Sequence, residues 1–516
     1  MKKNIIKNKN ILYIISLITF SILINQYYGY KGILPIDSFL IFNSGFDILN
    51  GYYPFKDYWT IKEPFIDLLQ ALFFKVFGVS WFAYVFHASV FNCLITIATY
   101  IVLKKFNLNQ NLSFFYSVSV ALLTYPTAGT PFSDHHTLIF CMLSFYLFIL
   151  AIKENKNLYW FLIPVFLGFS VLSKQAPTIY FIILISFLSI IYFIYTKKIS
   201  NLIFASLGLM FILLVFFIGI YLVNIDIKDF FYQYYLYPQS LGGSRLEWLF
   251  PLEFQRLIWR FKLQYLSIAI LIFILVKFSI KSKKLFLSDY ITLIGLISIC
   301  IVTVIHQLMT INAIFIYCLI PIFCGFSHTY LIKFYYKKSL NYFLIFLTIG
   351  STIYYYTKYV NNRTFMDLRG VNLNNSIDGK LIHPGLSKIK WITMFYPNNP
   401  VVEVENLKFA ISVLKDDKTN KMLITDYQFI SVFLNEYDFS VTRFWYDFHG
   451  YPQKNNRYFS YWKQFVIKQI KKNNIKYIYV LKPLHGEKKP LENILVNCYR
   501  KEVLSKVLYK LILKNC

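Results

Sequence analysis

The sequence predicts a polytopic α-helical membrane protein of about 11 transmembrane helices with a C-terminal extracytoplasmic α/β domain. Three observations predict it. Of 516 residues, 57% are hydrophobic and only 15% are charged, whereas a soluble domain carries about 25% charged residues. Apolar runs, each near the roughly 20 residues that cross a bilayer, recur up to residue 356 and stop there. The loops between them alternate between strongly basic and charge-balanced. The same composition excludes disorder, a collagen-like chain and a disulfide scaffold. A net charge of +28 would suit nucleic acid. The placement of the charges assigns them to membrane topology instead, and no nucleic-acid partner is expected.

In order, the runs fall at 10–26, 82–103, 112–127, 134–152, 158–173, 177–196, 202–223, 263–280, 289–309, 311–332 and 339–356, those at 112–127 and 158–173 being short. The first has a basic flank (Lys2, Lys3, Lys7, Lys9) but is followed by Asn25-Gln26-Tyr27-Tyr28 in place of a small-residue cleavage site, so it reads as an uncleaved anchor. With the N-terminus inside, the inner segments carry Lys104-Lys105, Lys153, Lys156, Lys197-Lys198, Lys277, Lys281, Lys283, Lys284, Lys333 and Lys337-Lys338. Together with the N-terminal lysines these are 17 basic residues against two acidic ones, Glu154 and Asp289, while the outer loops hold ten of each sign. The bias places the N-terminus in the cytoplasm and, after eleven spans, residues 357–516 outside the plasma (inner) membrane.

Two domains are therefore expected: 1–356 in the membrane, with a long first outer loop at 27–81, and 357–516 outside it. In the latter, Met422–Asp426 and Ile475–Val480 read as buried strands, and 401–415 and 459–472 as amphipathic helices. About 160 residues suffice to bury a core. Cys93, Cys141, Cys300, Cys318 and Cys324 lie in or beside spans, where packing is the expected role. Cys498 and Cys516 lie where a disulfide is permitted. No Cys/His spacing resembles a zinc site.

Charged residues are nearly absent from the span interiors, His87 and His328 being the main ionisable exceptions. A proton- or ion-coupled transporter usually keeps such groups at mid-membrane depth. The polar residues collect in outer loops instead: Asp37, Asp57, Lys62 and Glu63; Asp134-His135-His136; Lys174-Gln175; Gly242-Gly243-Ser244-Arg245; and His306-Gln307. Chemistry at the outer surface, rather than conduction, is the reading this supports. Within the first loop, 36–50 and 64–77 are amphipathic helix candidates that would lie in the interface plane. The second would turn Asp67, Gln70 and Lys75 away from its apolar face.

The stretch Asp37-Ser-Phe-Leu-Ile-Phe-Asn-Ser-Gly-Phe-Asp-Ile-Leu-Asn-Gly-Tyr-Tyr-Pro-Phe-Lys-Asp57, with Lys62-Glu63-Pro64 and a helix ending at Phe77-Gly78, resembles the first outer loop of the C-type (GT-C) glycosyltransferases. These are membrane enzymes that use polyprenyl- or dolichyl-phosphate sugars and are related to protein mannosyltransferases and lipid A aminoarabinose transferases. The architecture matches over roughly residues 1–356, the recognisable pattern only over 37–64. Where that family often has Asp-Glu and Lys-Pro-Pro, this chain has Asp37-Ser38 and Lys62-Glu63-Pro64.

The resemblance implies an inverting transfer, in which an acceptor hydroxyl displaces the lipid phosphate and one carboxylate is the general base. Asp37 matches the catalytic acid; its alternative role is N-cap of the helix after Pro35. Asp57 and Lys62 match the loop pattern and would hold acceptor and phosphate. Asp134 lies near a second outer-loop acid of the family, with an N-cap beside Ser133 as the alternative. His135 and His136 point about 100° apart on a helix, so one faces the cavity and the other packs. Lys174 is placed either to bind phosphate or to snorkel. Arg245, with Arg256 and Arg260 in the loop 224–262, suggests a cationic clamp. His306 belongs to a polar hairpin with Gln307, Thr310 and Asn312. Gly242-Gly243 falls short of any phosphate-cradling motif, which disfavours a soluble nucleotide sugar.

The expected partners are the bilayer, a polyprenyl-phosphate sugar, and a lipid-linked glycan, envelope polymer or protein acceptor. No cofactor is expected beyond the lipid-linked donor, and dependence on a divalent metal stays open. The alternatives are a lipid or polysaccharide transporter, an envelope scaffold, or a polymerase or ligase of lipid-linked glycans.

Overall fold

The computed structural model describes residues 2–250, 253–281, 285–312, 314–335, 337–446, 449–485, 491, 494–496 and 498–514; Lys283, Lys284 and Cys516 therefore lie outside the described residues. By compactness the chain divides into two units. The first comprises Met1–Gly29, Ala88–Ile218 and Ser244–Thr364; the second comprises Tyr30–His87, Gly219–Gly243 and Phe365–Cys516. The first outer loop thus folds with the C-terminal part, where a contiguous boundary at 356/357 was expected.

The first unit is a helical bundle, and a helix stands at each of the eleven apolar runs. Among the described residues eight helices are long and apolar enough to cross a membrane. The other three are Gln110–Leu123 with 14 residues, Asn157–Ser173 with 17 and Lys338–Tyr355 with 18. Ser133–Glu154 forms the interior of the bundle and ends at Asn155, whose left-handed φ of 51° closes the helix in the way asparagine permits. Ile199–Val223 is apolar all round yet mostly exposed, with Leu207, Met210, Leu214 and Phe217 facing outward. Such a surface needs lipid to cover it. Gly208 of this helix lies where a Cβ would come within 1.9 Å of the Phe161 carbonyl oxygen, so only glycine permits this approach. Buried amides tie the helices together: Asn92 Nδ2 donates to the carbonyls of Ser21 (3.0 Å) and Ala121 (3.1 Å). The fully buried Arg363 donates to the carbonyls of Pro126 (2.8 Å) and Ala128 (3.0 Å), which follow the end of Gln110–Leu123.

The second unit is built on a four-stranded sheet in the order Lys421–Ile424, Tyr477–Leu481, Leu508–Leu513, Tyr499–Val503. The first pair is parallel, joined through the helix Phe459–Lys472, and the others are antiparallel. Alternation along the strands sends Leu423, Tyr479, Leu481 and Leu508 to one core and Met422, Ile424, Ile478, Val480 and Leu511 to the other. The first core also holds Leu407 and Leu414 of the helix Pro400–Asp416 together with Phe39 and Phe42 of the first loop and Trp81 and Tyr84 of the helix Trp81–Lys105 that follows it. The second holds Trp462 and Phe465 together with Trp59 and Tyr237. Both expected strands and both expected helices are present within a residue or two; Tyr499–Val503 and Leu508–Leu513 had no counterpart in the sequence reading. Cys498 is disulfide-bonded.

The two loop helices depart from expectation. Leu40–Leu49 is buried along nearly its whole length, a core helix rather than one lying on a membrane surface. Pro64–Phe77 is inverted: Asp67 and Gln70 are buried, Gln70 Oε1 lying 2.9 Å from His87 Nδ1, while Leu68, Leu72 and Val76 face outward with Lys75.

Candidate active site

In the second unit the chain enters through a short β-like pairing, in which Gly32 N donates to Lys390 O (3.0 Å) and Ile33 N to Ile392 O (3.0 Å). This pins the helix Pro35–Ser38 that carries Asp37. Leu34, not Asp37, is the N-cap, and the Leu34 amide donates to Ser38 Oγ (3.1 Å). The capping alternative for Asp37 is thereby removed. Its side chain is half-buried. Phe39 next to it is packed between Trp391 and Phe429.

Asp426 stands within electrostatic reach of Asp37. It follows the strand Lys421–Ile424, and His485 follows the neighbouring parallel strand Tyr477–Leu481. The His485 amide donates to Asp426 Oδ2 (2.6 Å), whereas the buried Oδ1 has no hydrogen-bond partner. Burial, with the Asp37 charge adding to it, pushes the Asp426 carboxyl up to about 8.

The remaining loop candidates are tied into the fold. Asp57 Oδ2 accepts from Tyr53 N (2.9 Å) and Oδ1 pairs with Lys472 (3.0 Å), which closes the turn between them. Lys62 pairs with Glu63 (3.0 Å), lies 4.7 Å from the Phe444 ring centre and lines a small pocket with Ser44, Trp59, Thr442 and Arg443. Glu63 has φ 77°, a conformation closed to the proline found there in the pattern Lys-Pro-Pro. In the wall of this pocket Arg443 is buried between Asp47 (2.5 Å) and Asp438 (2.6 Å), over the ring of Tyr58. Burial pushes Asp47 up to about 8 against the pull of Arg443.

In the first unit the structure brings Asp134, Lys174, His306 and Arg245 together. Asp134 takes two bonds from Lys174 Nζ (2.8 and 2.7 Å), His306 Nε2 lies 3.6 Å from its Oδ1, and the Arg245 charge reaches His306. Phe132 is the N-cap of Ser133–Glu154, so Asp134 is no cap either. Lys174 is not snorkelling but anchored. His135 and His136 both pack: His135 Nε2 lies 2.8 Å from Thr127 Oγ1 with its ring stacked on Tyr125, and His136 bonds the Tyr125 hydroxyl. His306 is in the last helical turn of Leu287–Met309, not in a hairpin, and Arg256 donates to Leu308 O (2.8 Å) at that helix end. Among the described residues no cluster of three or more His, Cys, Asp or Glu side chains is set to hold a metal ion.

Residues 62–221 match the sequence family described as dolichyl-phosphate-mannose-protein mannosyltransferase. That match covers less than a third of the chain. Solved structures similar to the chain include ArnT from Cupriavidus metallidurans in the apo state, at 11% identity and a TM-score of 0.45 with 98% of each chain covered. The same protein bound to undecaprenyl phosphate matches at 12% identity and a TM-score of 0.43 over 97% of each chain. No curated protein matches in sequence.

Asp134 and Lys174 lie inside the matched stretch, Asp37 and Asp57 before it, and Arg245 and His306 after it. Sequence reasoning missed Asp426, Arg443 and Asp47. Asp426 carried a signal, an acid at the carboxyl end of a buried parallel strand, where open α/β sheets form their sites. Asp47 carried another, an acid inside an apolar helix.

Proposed function

We propose that the chain is an inverting glycosyltransferase that moves a sugar from a polyprenyl-phosphate donor to a lipid-linked glycan, envelope polymer or protein on the outer face of the plasma membrane. The observation that carries this reading is the match of residues 62–221 to a family described by a dolichyl-phosphate sugar donor. The acceptor hydroxyl attacks the anomeric carbon, its proton passes to Asp37, and the bond to the phosphate oxygen breaks with its electron pair on the phosphate. Within the first unit, Lys174 and Arg245 against the single charge of Asp134 leave their own cluster cationic. The basic bias of alternate loops supports a cytoplasmic N-terminus and an outer C-terminal part. The outward row Leu68, Leu72 and Val76 suits a helix resting on lipid.

The test compares lipid-linked and surface glycans of cells with and without the gene by mass spectrometry, and assays the purified chain with polyprenyl-phosphate mannose. A missing sugar and donor turnover are expected. An unchanged glycan profile refutes the reading.

A further inference from the structure

We propose that the pocket lined by Ser44, Trp59, Lys62, Thr442, Arg443 and Phe444 holds one uncharged, hydroxylated ring, a glycosyl residue of the acceptor. That the ring belongs to an acceptor rests on the glycosyl-transfer reading; the chemistry of the pocket does not. All of these residues belong to the second unit. The pocket forms where the first loop meets the tail: Trp59 bridges Thr442 in parallel, and Trp59 N donates to Val441 O (2.8 Å). Thr60 N donates to Gln233 Oε1 (3.1 Å), and Thr60 Oγ1 to Lys62 O (2.9 Å). On the tail side Phe444 N donates to Thr442 Oγ1 (3.2 Å). Gly450 folds back against this segment so closely that a Cβ would come within 2.0 Å of the Phe444 carbonyl oxygen. The concavity measures about 280 Å³, the part open to solvent included.

Both cations in the lining are already paired. Lys62 meets Glu63 at 3.0 Å, and Arg443 lies between Asp47 and Asp438. A phosphate or carboxylate entering the pocket would have to break one of these pairs, whereas a neutral ring would not. What remains for a ligand is neutral and mostly donating. Arg443 Nε and Trp59 Nε1 are buried without a hydrogen-bond partner. The Thr442 hydroxyl accepts from Phe444 N and has its own proton to give, and Ser44 adds a second hydroxyl. Buried donors without acceptors are costly, so an acceptor oxygen is favoured beside them. Leu40, Ile61 and Phe444 supply apolar surface in the same pocket. A pyranose ring matches that mixture, being apolar across its C–H faces and rich in oxygen around its rim. A peptide fits less well. An extended chain binds through backbone hydrogen bonds to a free strand edge, and here the Trp59 and Thr60 amides are committed elsewhere.

The purified full chain, with isotope-labelled tryptophan, tests this through its indole N–H signals in NMR spectra. The signal lost in Trp59→Phe is that of Trp59. The probes are the methyl glycosides of mannose, glucose, galactose and N-acetylglucosamine, then inorganic phosphate, then a serine-containing peptide. At least one glycoside is expected to move the Trp59 signal saturably, while phosphate and the peptide leave it in place. Ser44→Ala and Thr442→Val should each weaken that glycoside about 3–10-fold, the loss of one hydrogen bond. If Trp59→Phe fails to fold, saturation transfer from the wild-type chain to each glycoside, and its decline in Ser44→Ala, carries the same test. A shift caused by phosphate or by the peptide, or none caused by any glycoside, overturns the proposal. So does a glycoside whose affinity is indifferent to both hydroxyl variants. Transfer from polyprenyl-phosphate mannose is assayed on the same preparation. Glycoside binding without donor turnover leaves the pocket standing and removes the transferase reading; turnover with a silent Trp59 does the reverse.

Discussion

Replacing Asp37 by Asn removes a proton acceptor and leaves the local fold intact. The helix Pro35–Ser38 is capped at Leu34, whose amide is held by Ser38 Oγ, so the Asp37 carboxylate is not needed for capping. Asn has the same size, and at a half-buried position that serves as neither cap it should cost only about 0.5 kcal/mol. The loss should appear in the chemistry. A general base contributes on the order of 10²–10⁴-fold in rate, which corresponds to about 2.7–5.5 kcal/mol of transition-state stabilisation. The assay is single-turnover transfer from a polyprenyl-phosphate sugar under saturating donor, with thermal melting of the same preparation as the fold control. A drop confined to kcat, with KM and Tm near wild type, is expected. Transfer at the wild-type rate would refute the assignment, and Asp134 would then be the carboxylate to test.

Four further outcomes are expected. Lys174→Met leaves Asp134 buried without its main partner and should cost about 3–5 kcal/mol in stability, read as a lower Tm that Asp134→Leu in the same chain restores in part. Arg443→Met strands Asp47 and Asp438 together, and a loss of the same size is expected; raising the pH should worsen it, because Asp47 then loses the proton that softens its burial. For Asp426 the folded value lies near 8, above the unfolded 3.8, so the folded state binds the extra proton and stability falls as pH rises from about 4 to 8; Asp426→Asn should flatten that part of the Tm–pH curve. Single cysteines introduced at Asp57 or at Lys228 should react with an impermeant thiol reagent on intact cells, and one at Lys197 should not; labelling at Lys197 would reverse the proposed orientation.

The membrane helices were legible because each is a local event, an apolar run of spanning length, and all eleven runs became helices. The strands Lys421–Ile424 and Tyr477–Leu481 were legible for the same reason. What escaped depends on which distant segments meet. Leu40–Leu49 has the pattern of a surface helix, but Phe42 packs on Phe74, Tyr84 and Phe433, and no periodicity announces that partner. Asp57 matched a motif, yet Lys472 occupies it. Asp426 lay in a strand that had been read, but its buried hydrogen bond comes from His485, beyond the end of the neighbouring strand. One of His135 and His136 was expected to face the cavity, and both pack instead, His135 as a stacking partner of Tyr125. Local chemistry nominated acids and bases correctly as a class; tertiary pairing decided which of them are spoken for.

The second unit is assembled from three stretches of chain, and the first of them ends at residue 87 while the last begins at 365. During synthesis Phe39, Phe42, Trp81 and Tyr84 emerge early, but Leu407, Trp391 and Phe429, which complete their core, come some 310 to 390 codons later. At about 5–20 residues per second, that is a delay of roughly 15–80 s with an aromatic face uncovered. Something must shelter that face in the interval, whether the bilayer surface or a holding chaperone. The same dependence constrains any dissection of the gene. A fragment that stops after the last span would keep Asp37 and lack the floor beneath it, and the tail made alone would present a core with one wall missing. Co-expressing the two halves, rather than purifying either, is the arrangement in which the second unit has all its parts.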